Sequence, residues 1–103
     1  MQLTKDTDKM FCLIYEEYLN RRKAGDSKSS AIRFYHPEAL QSEFLQGIHE
    51  DDIRSAIHEL HRNGLIKKYT DDSFVLSDSG IIYMENRFKN GLKEVLEYIS
   101  LLK

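Results

Sequence analysis

This chain of 103 residues has little of several things: one cysteine, one proline, five glycines and no tryptophan. A single cysteine, Cys12, excludes an internal disulfide and suits a reducing compartment. Charge of one sign is not in excess either. The 15 basic and 17 acidic residues give a formal charge of −2, which does not mark a broad binder of nucleic acid or anionic membrane. No apolar run approaches the ~18–20 residues that a membrane-spanning helix needs. The opening stretch "MQLTKDTDKM" is polar where a secretory leader carries an apolar segment, so a cytoplasmic protein is expected. Glycine-rich phosphate loops, nucleophile elbows and paired-cysteine motifs are missing, so the sequence predicts neither an enzyme nor a cofactor.

What is present is a 41% apolar fraction, enough for a core, and a length suited to one domain over residues 1–103. In "DTDKMFCLIYEEYLNRRKAG", Phe11, Ile14, Tyr15 and Tyr18 recur at helical spacing, with Arg22 on the same line. Asp6 or Thr7 is the expected start of this helix and Gly25 its stop, with Arg21, Arg22 and Lys23 complementing the negative end. "GDSKSS" reads as a polar loop and "AIRFY" as a short strand with Ile32 and Phe34 on one face. The single proline, Pro37, ends that strand and fits the first turn of a helix, "PEALQSEFLQ".

A third helix is predicted over residues 50–63, with Ile53, Ala56, Ile57 and Leu60 as its buried stripe. Ile48 can staple onto Ile53, Asp52 can reach back to the cap, and Asn63-Gly64 supplies the stop. "LIKKYT" and "FVLS" flank "DDS" as a hairpin. Ser77 or Asp78 then caps a last helix through Leu102. Within it Phe88, Leu92, Val95, Ile99 and Leu102 are spaced 4, 3, 4, 3, the pattern of a heptad seam about two heptads long. Asn90-Gly91 leaves open whether that helix is divided. The expected fold is mainly α with a small β-sheet, in the order α-β-α-α-β-β-α. It comprises a core over 7–78 and a long C-terminal helix over 79–102.

The run Ile53, Ala56, Ile57 and Leu60, then "NGLI", a hairpin and "LSDSGIIYME" resembles the winged helix-turn-helix superfamily. The last phrase is similar to the "L-T-x-x-G-x-x-Y-L" ending of small bacterial winged-helix domains, with Ser77 in place of threonine. The nearest groups are MarR- and PadR-like regulators and the small YjcQ-like proteins of prophages and low-GC Gram-positive bacteria. The resemblance covers roughly residues 7–88. It implies a supporting helix in "PEALQSEFLQ", a recognition helix at 50–63, a wing tip in "TDDS" and a dimerising C-terminal helix. It also implies a small DNA-binding transcriptional regulator, a homodimer bound to double-stranded DNA; no small-molecule effector is indicated. One departure is plain: this wing tip carries Asp71 and Asp72 where wings that touch DNA carry Arg or Lys.

At ~100° per residue, Asp51, Ser55, His58 and Arg62 lie opposite the buried stripe of the third helix, with Glu59 on its flank. Ser55, His58 and Arg62 are the candidates for base edges or phosphates, and Lys67 and Lys68 for the backbone beside the hairpin. The plainer account of the same residues is a solvated helix face. Charge by segment favours caution about DNA. Residues 38–64 hold two basic and six acidic residues, against seven and five over 1–37 and six of each over 65–103. The expected reading unit is the most acidic part of a chain whose DNA affinity would come from phosphate neutralisation. Glu50, Asp51 and Asp52 are accounted for locally, since each stabilises its helix start by ~0.3–1 kcal/mol. They would also occupy the helix end that is the usual seat of a bound phosphate. The alternative is a winged-helix protein–protein interaction module or phage accessory protein that binds no DNA. His49, His58 and His61 do not form a metal motif, because Arg62 stands where the second histidine of "HExxH" belongs. Cys12 reads as a buried structural thiol. Arg21, Arg22, Lys23 and Lys28 form a basic cluster whose ordinary role is a solvated helix end, with a secondary DNA-backbone contact as the sharper alternative.

Overall fold

Helix α1 spans Lys5–Lys23 and forms the centre around which the rest of the chain is arranged. The structure, a computed structural model, describes residues 2–102. Helix α1 starts before the predicted Asp6 or Thr7, with Thr4 at its cap position, and a distant residue holds that start. Glu59 accepts the Thr4 N–H at 2.7 Å, the Thr4 hydroxyl at 2.7 Å and the Thr7 hydroxyl at 2.8 Å. Phe11, Ile14, Tyr15 and Tyr18 are buried as their spacing predicts, whereas Arg22 is exposed and donates to the Asp26 carbonyl at 3.1 Å.

The "GDSKSS" stretch is not wholly loop. Ser27 accepts the Ser30 N–H and starts a single turn, α2, over Lys28–Ala31. Strand β1 is reduced to Arg33–Phe34, and α3 runs from Pro37 to Glu43 with His36 at its cap. Helix α4 covers Glu50–Arg62, and its cap is the His49 ring, whose Nδ1 accepts the Asp51 N–H at 3.1 Å. Ile53, Ala56, Ile57 and Leu60 all face inward. Strands β2 (Ile66–Lys68) and β3 (Phe74–Leu76) make the predicted hairpin, and β1 joins it in an antiparallel sheet of order β1-β3-β2. The register pairs Phe34 with Phe74 and Ile66 with Leu76, so all four side chains enter the core from one face. Phe34 and Phe74 stack at 5.1 Å between centroids, and Phe44 meets Phe34 edge-on at 6.0 Å.

The phrase "LSDSG" has a specific structural cause. Ser77 accepts the Gly80 N–H at 3.0 Å and donates its hydroxyl to the Gly64 carbonyl at 2.7 Å. This bond ties the start of α5 (Asp78–Arg87) to the end of α4. Gly80 packs so closely on Leu65 that a Cβ there would stand 2.1 Å from the Leu65 carbonyl oxygen.

The expected long C-terminal helix is two helices. Helix α5 ends at Arg87, residues 88–91 turn, and α6 covers Leu92–Leu101. Gly91 takes φ 67°, ψ −136°, a conformation in which a side chain is disfavoured, and its N–H bonds the Phe88 carbonyl at 2.9 Å. The division lets Phe88 stay in the core while α6 turns back to pack on α1, burying Val95 and Ile99. A clamp holds this arrangement: Asp8 of α1 takes both Nη groups of Arg87, and the Tyr98 hydroxyl donates to Asp8 at 3.2 Å. The Arg87 guanidinium also lies 4.6 Å from the centre of the Tyr98 ring. Cys12 is fully buried, and burial pushes its thiol up to about 12, the state of an inert core sulfur. Among the described residues no helix is long and apolar enough to cross a membrane.

Candidate functional site

The outward row of α4 is formed as its periodicity requires. Asp51, Ser55, His58 and Arg62 are all exposed. The hairpin lies against this helix and brings its lysines alongside. Lys67 and Lys68 point to opposite faces of β2, as successive strand residues do. Lys67 is exposed, with its Nζ 6.0 Å from the Tyr69 ring centre, whereas Lys68 is turned toward α4. Sequence reasoning grouped Ser55, His58, Arg62, Lys67 and Lys68 by region; of these Lys68 is half-buried and the other four are exposed.

The residues it missed are Arg54 and the role of Asp72. The hairpin tip closes with Tyr69 accepting the Asp72 N–H at 3.1 Å and donating its own N–H to Ser73 at 2.9 Å. Asp72 sits at φ 65°, in the left-handed region that such a turn demands and that Asp tolerates better than most residues. From there its carboxylate reaches back to α4 and β2. Arg54 Nε lies 3.2 Å from Oδ2; His58 Nε2 lies 3.2 Å and Lys68 Nζ 3.3 Å from Oδ1. Arg54 is held from behind by Asp51 at 3.3 Å and Glu38 at 3.5 Å. Partial burial raises the Asp72 pKa, but the bonds from Lys68 and His58 outweigh it and hold the carboxyl below its ordinary range. Arg54 and His58, four apart, share one flank of α4, which was a readable signal. Their carboxylate partner, 18 and 14 residues on, was not.

Asp71 turns inward on its own loop, accepting the Ser73 N–H at 3.0 Å and hydroxyl at 2.5 Å. The basic cluster of the first helix is largely committed to structure. Arg21 pairs with Glu17 at 2.9 Å, donates to the Arg33 carbonyl at 2.6 Å and covers the Phe34 ring at 4.4 Å. Lys28 pairs with Asp78 at 3.2 Å. Of the predicted seam, Phe88, Val95 and Ile99 lie in the chain's own core, while Leu92 and Leu102 are half-buried. Leu96 and Leu101, outside that seam, are exposed. Among the described residues no group of three His, Cys, Asp or Glu is placed to hold a metal ion.

Glu59 marks the inner flank of α4. Burial raises its pKa, and the bonds from Thr4 and Thr7 more than reverse this, holding the carboxyl below its ordinary range. A depressed carboxyl contributes stability that is present above its unfolded value and lost as pH falls through the folded one. Glu59→Gln is therefore expected to cost about 1–2 kcal/mol at neutral pH. It should also flatten the acid limb of stability as pH falls through and below the ordinary glutamate range. Urea denaturation at a series of pH values checks this; an unchanged acid limb would remove Glu59 as its source.

No family model matches this chain, no curated protein matches it, and no solved structure does.

Proposed function

We propose that the chain is a winged helix-turn-helix protein, with α3 and α4 as the helix pair and β2–β3 as the wing. In this reading it is a small DNA-binding transcriptional regulator that inserts α4 into the major groove, a binding protein and not an enzyme. The observation that carries the reading is the meeting of α4's outward row with the hairpin at Asp72. This meeting sets His58 beside Lys68, joining the helix that bears Ser55 and Arg62 to the strand that bears Lys67. Ser55 and Arg62 would address base edges or phosphates, and Lys67 a backbone phosphate. A two-fold dimer would read related half-sites about 34 Å apart. Because Val95 and Ile99 are buried internally, the leucines that α6 leaves for a second copy beside that buried face are the exposed Leu96 and the half-buried Leu92 and Leu102.

Arg62→Ala is expected to weaken binding to duplex DNA by about tenfold and to lower the salt slope by about 1. Fluorescence anisotropy with random duplexes over a salt series measures both. Undetectable binding at low salt by the folded wild type would remove the regulator reading.

A second reading is favoured by a separate observation. Glu50, Asp51 and Asp52 crowd the start of α4, and Glu38 stands beside them through Arg54. An acidic face of this kind suits a basic protein partner, and the module would then bind no DNA.

A further inference from the structure

We propose that Asp72 is a built-in competitor for a phosphate-type oxyanion, occupying a site formed by Arg54, His58 and Lys68. Three nitrogen donors from two elements converge on one carboxylate at 3.2, 3.2 and 3.3 Å. Such a constellation meets a carboxylate and a phosphate in the same way, through two oxygens sharing one delocalised charge. The turn itself does not call for the side chain. Its left-handed position favours glycine, so aspartate is held there at a conformational cost, and the carboxylate's contacts are what it contributes.

The surroundings keep the donors aimed after the carboxylate leaves. Asp51 and Glu38 hold the two Nη groups of Arg54 and leave Nε directed at the hairpin. Lys68 Nζ is also steadied by the Tyr69 carbonyl at 3.2 Å. The latch is weak enough to be displaced. The side chains of Arg54 and His58 are 37% and 46% exposed, and ion pairs so open to water contribute about 0–1 kcal/mol each. A phosphodiester backbone, which adds a contact at Arg62 one turn beyond His58, can outcompete it. The identity of that natural ligand rests on the DNA-binding reading; the oxyanion site itself does not.

The test compares wild type with Asp72→Asn and Asp72→Gly, both compatible with the turn, and with Asp26→Asn. The last is an exposed position that changes the net charge equally. Pyrophosphate is titrated while the Arg54 Nε–H and His58 ring resonances are followed by NMR. Duplex DNA is titrated from about 50 to about 200 mM salt. Both Asp72 variants should bind DNA about tenfold tighter than wild type, with a salt slope steeper by about 2. They should also bind pyrophosphate at Arg54 and His58, while Asp26→Asn resembles wild type. Asp72 variants no better than Asp26→Asn toward either probe would overturn the proposal. Pyrophosphate binding enhanced without any DNA binding would uphold the oxyanion site and remove the DNA reading. DNA binding equal in all four proteins would do the reverse.

Discussion

Replacing Gly80 with alanine is expected to destabilise the fold by about 3 kcal/mol or more. In a domain of this size that lowers the melting temperature by roughly 12–24 °C. The added Cβ would stand 2.1 Å from the Leu65 carbonyl oxygen and 3.0 Å from its carbon. Both are backbone atoms in a segment fixed on either side. The Leu65 carbonyl accepts the Ser77 N–H at 3.2 Å, and its N–H donates to Leu60 at 3.0 Å. Relief therefore requires α5 to move away from the end of α4, which would break the Ser77 bond to Gly64. Ser79→Ala, an exposed change on the same helix, should stay within about 0.5 kcal/mol of wild type. Thermal unfolding followed by circular dichroism distinguishes the two. A Gly80→Ala protein that melts with wild type would show that the close approach of α5 to Leu65 is not a feature of the native fold.

Val95→Asp is expected to abolish folding, whereas Leu96→Asp one residue later should leave the monomer fold intact. Val95 has no exposed surface and lies in the contact of α6 with α1. An aspartate there has no partner to offset its desolvation. The cost, at least about 4 kcal/mol, is comparable with the ~5–15 kcal/mol by which a domain of this kind is stable. Leu96 is 46% exposed and Leu101 81% exposed, so a charge at either remains in water. The pair also separates the two roles assigned to this helix. Sedimentation of the Leu96→Asp variant should show a folded monomer if α6 presents this leucine to a second copy. A folded, monomeric Val95→Asp protein would instead place Val95 at an intermolecular seam and contradict its packing on α1.

The heptad spacing from Phe88 to Leu102 illustrates why periodicity reads further in some places than in others. A 4, 3, 4, 3 pattern states which side chains want to leave water together, but not what covers them. Here the chain covers them itself, because Gly91 turns α6 back onto α1. Phe88 and Leu92 accordingly do not share a helix. The start of α1 shows the same limit at shorter range. Its cap could not be located from residues 4–8 alone, since the carboxylate that completes it belongs to Glu59, 55 residues away. In the candidate site, the outward row of α4 followed from ~100° per residue. The Asp72 contact required knowing how far the hairpin leans toward that helix.

Sequence alone determined the local grammar of this protein. It specified the amphipathic α1 and α4, the hairpin, the start of α5 at Ser77 or Asp78 and the outward set Asp51, Ser55, His58 and Arg62. Each of these follows from side chains within a few residues of one another, where helical or strand period and capping chemistry suffice. The role of the acidic hairpin tip depends instead on how the hairpin packs. Asp71 bonds within its own loop, and Asp72 closes on Arg54, His58 and Lys68. A carboxylate's partner depends on distance through space, and the separation of 14 to 18 residues between Asp72 and its α4 partners is closed only when β2 and β3 pack against α4.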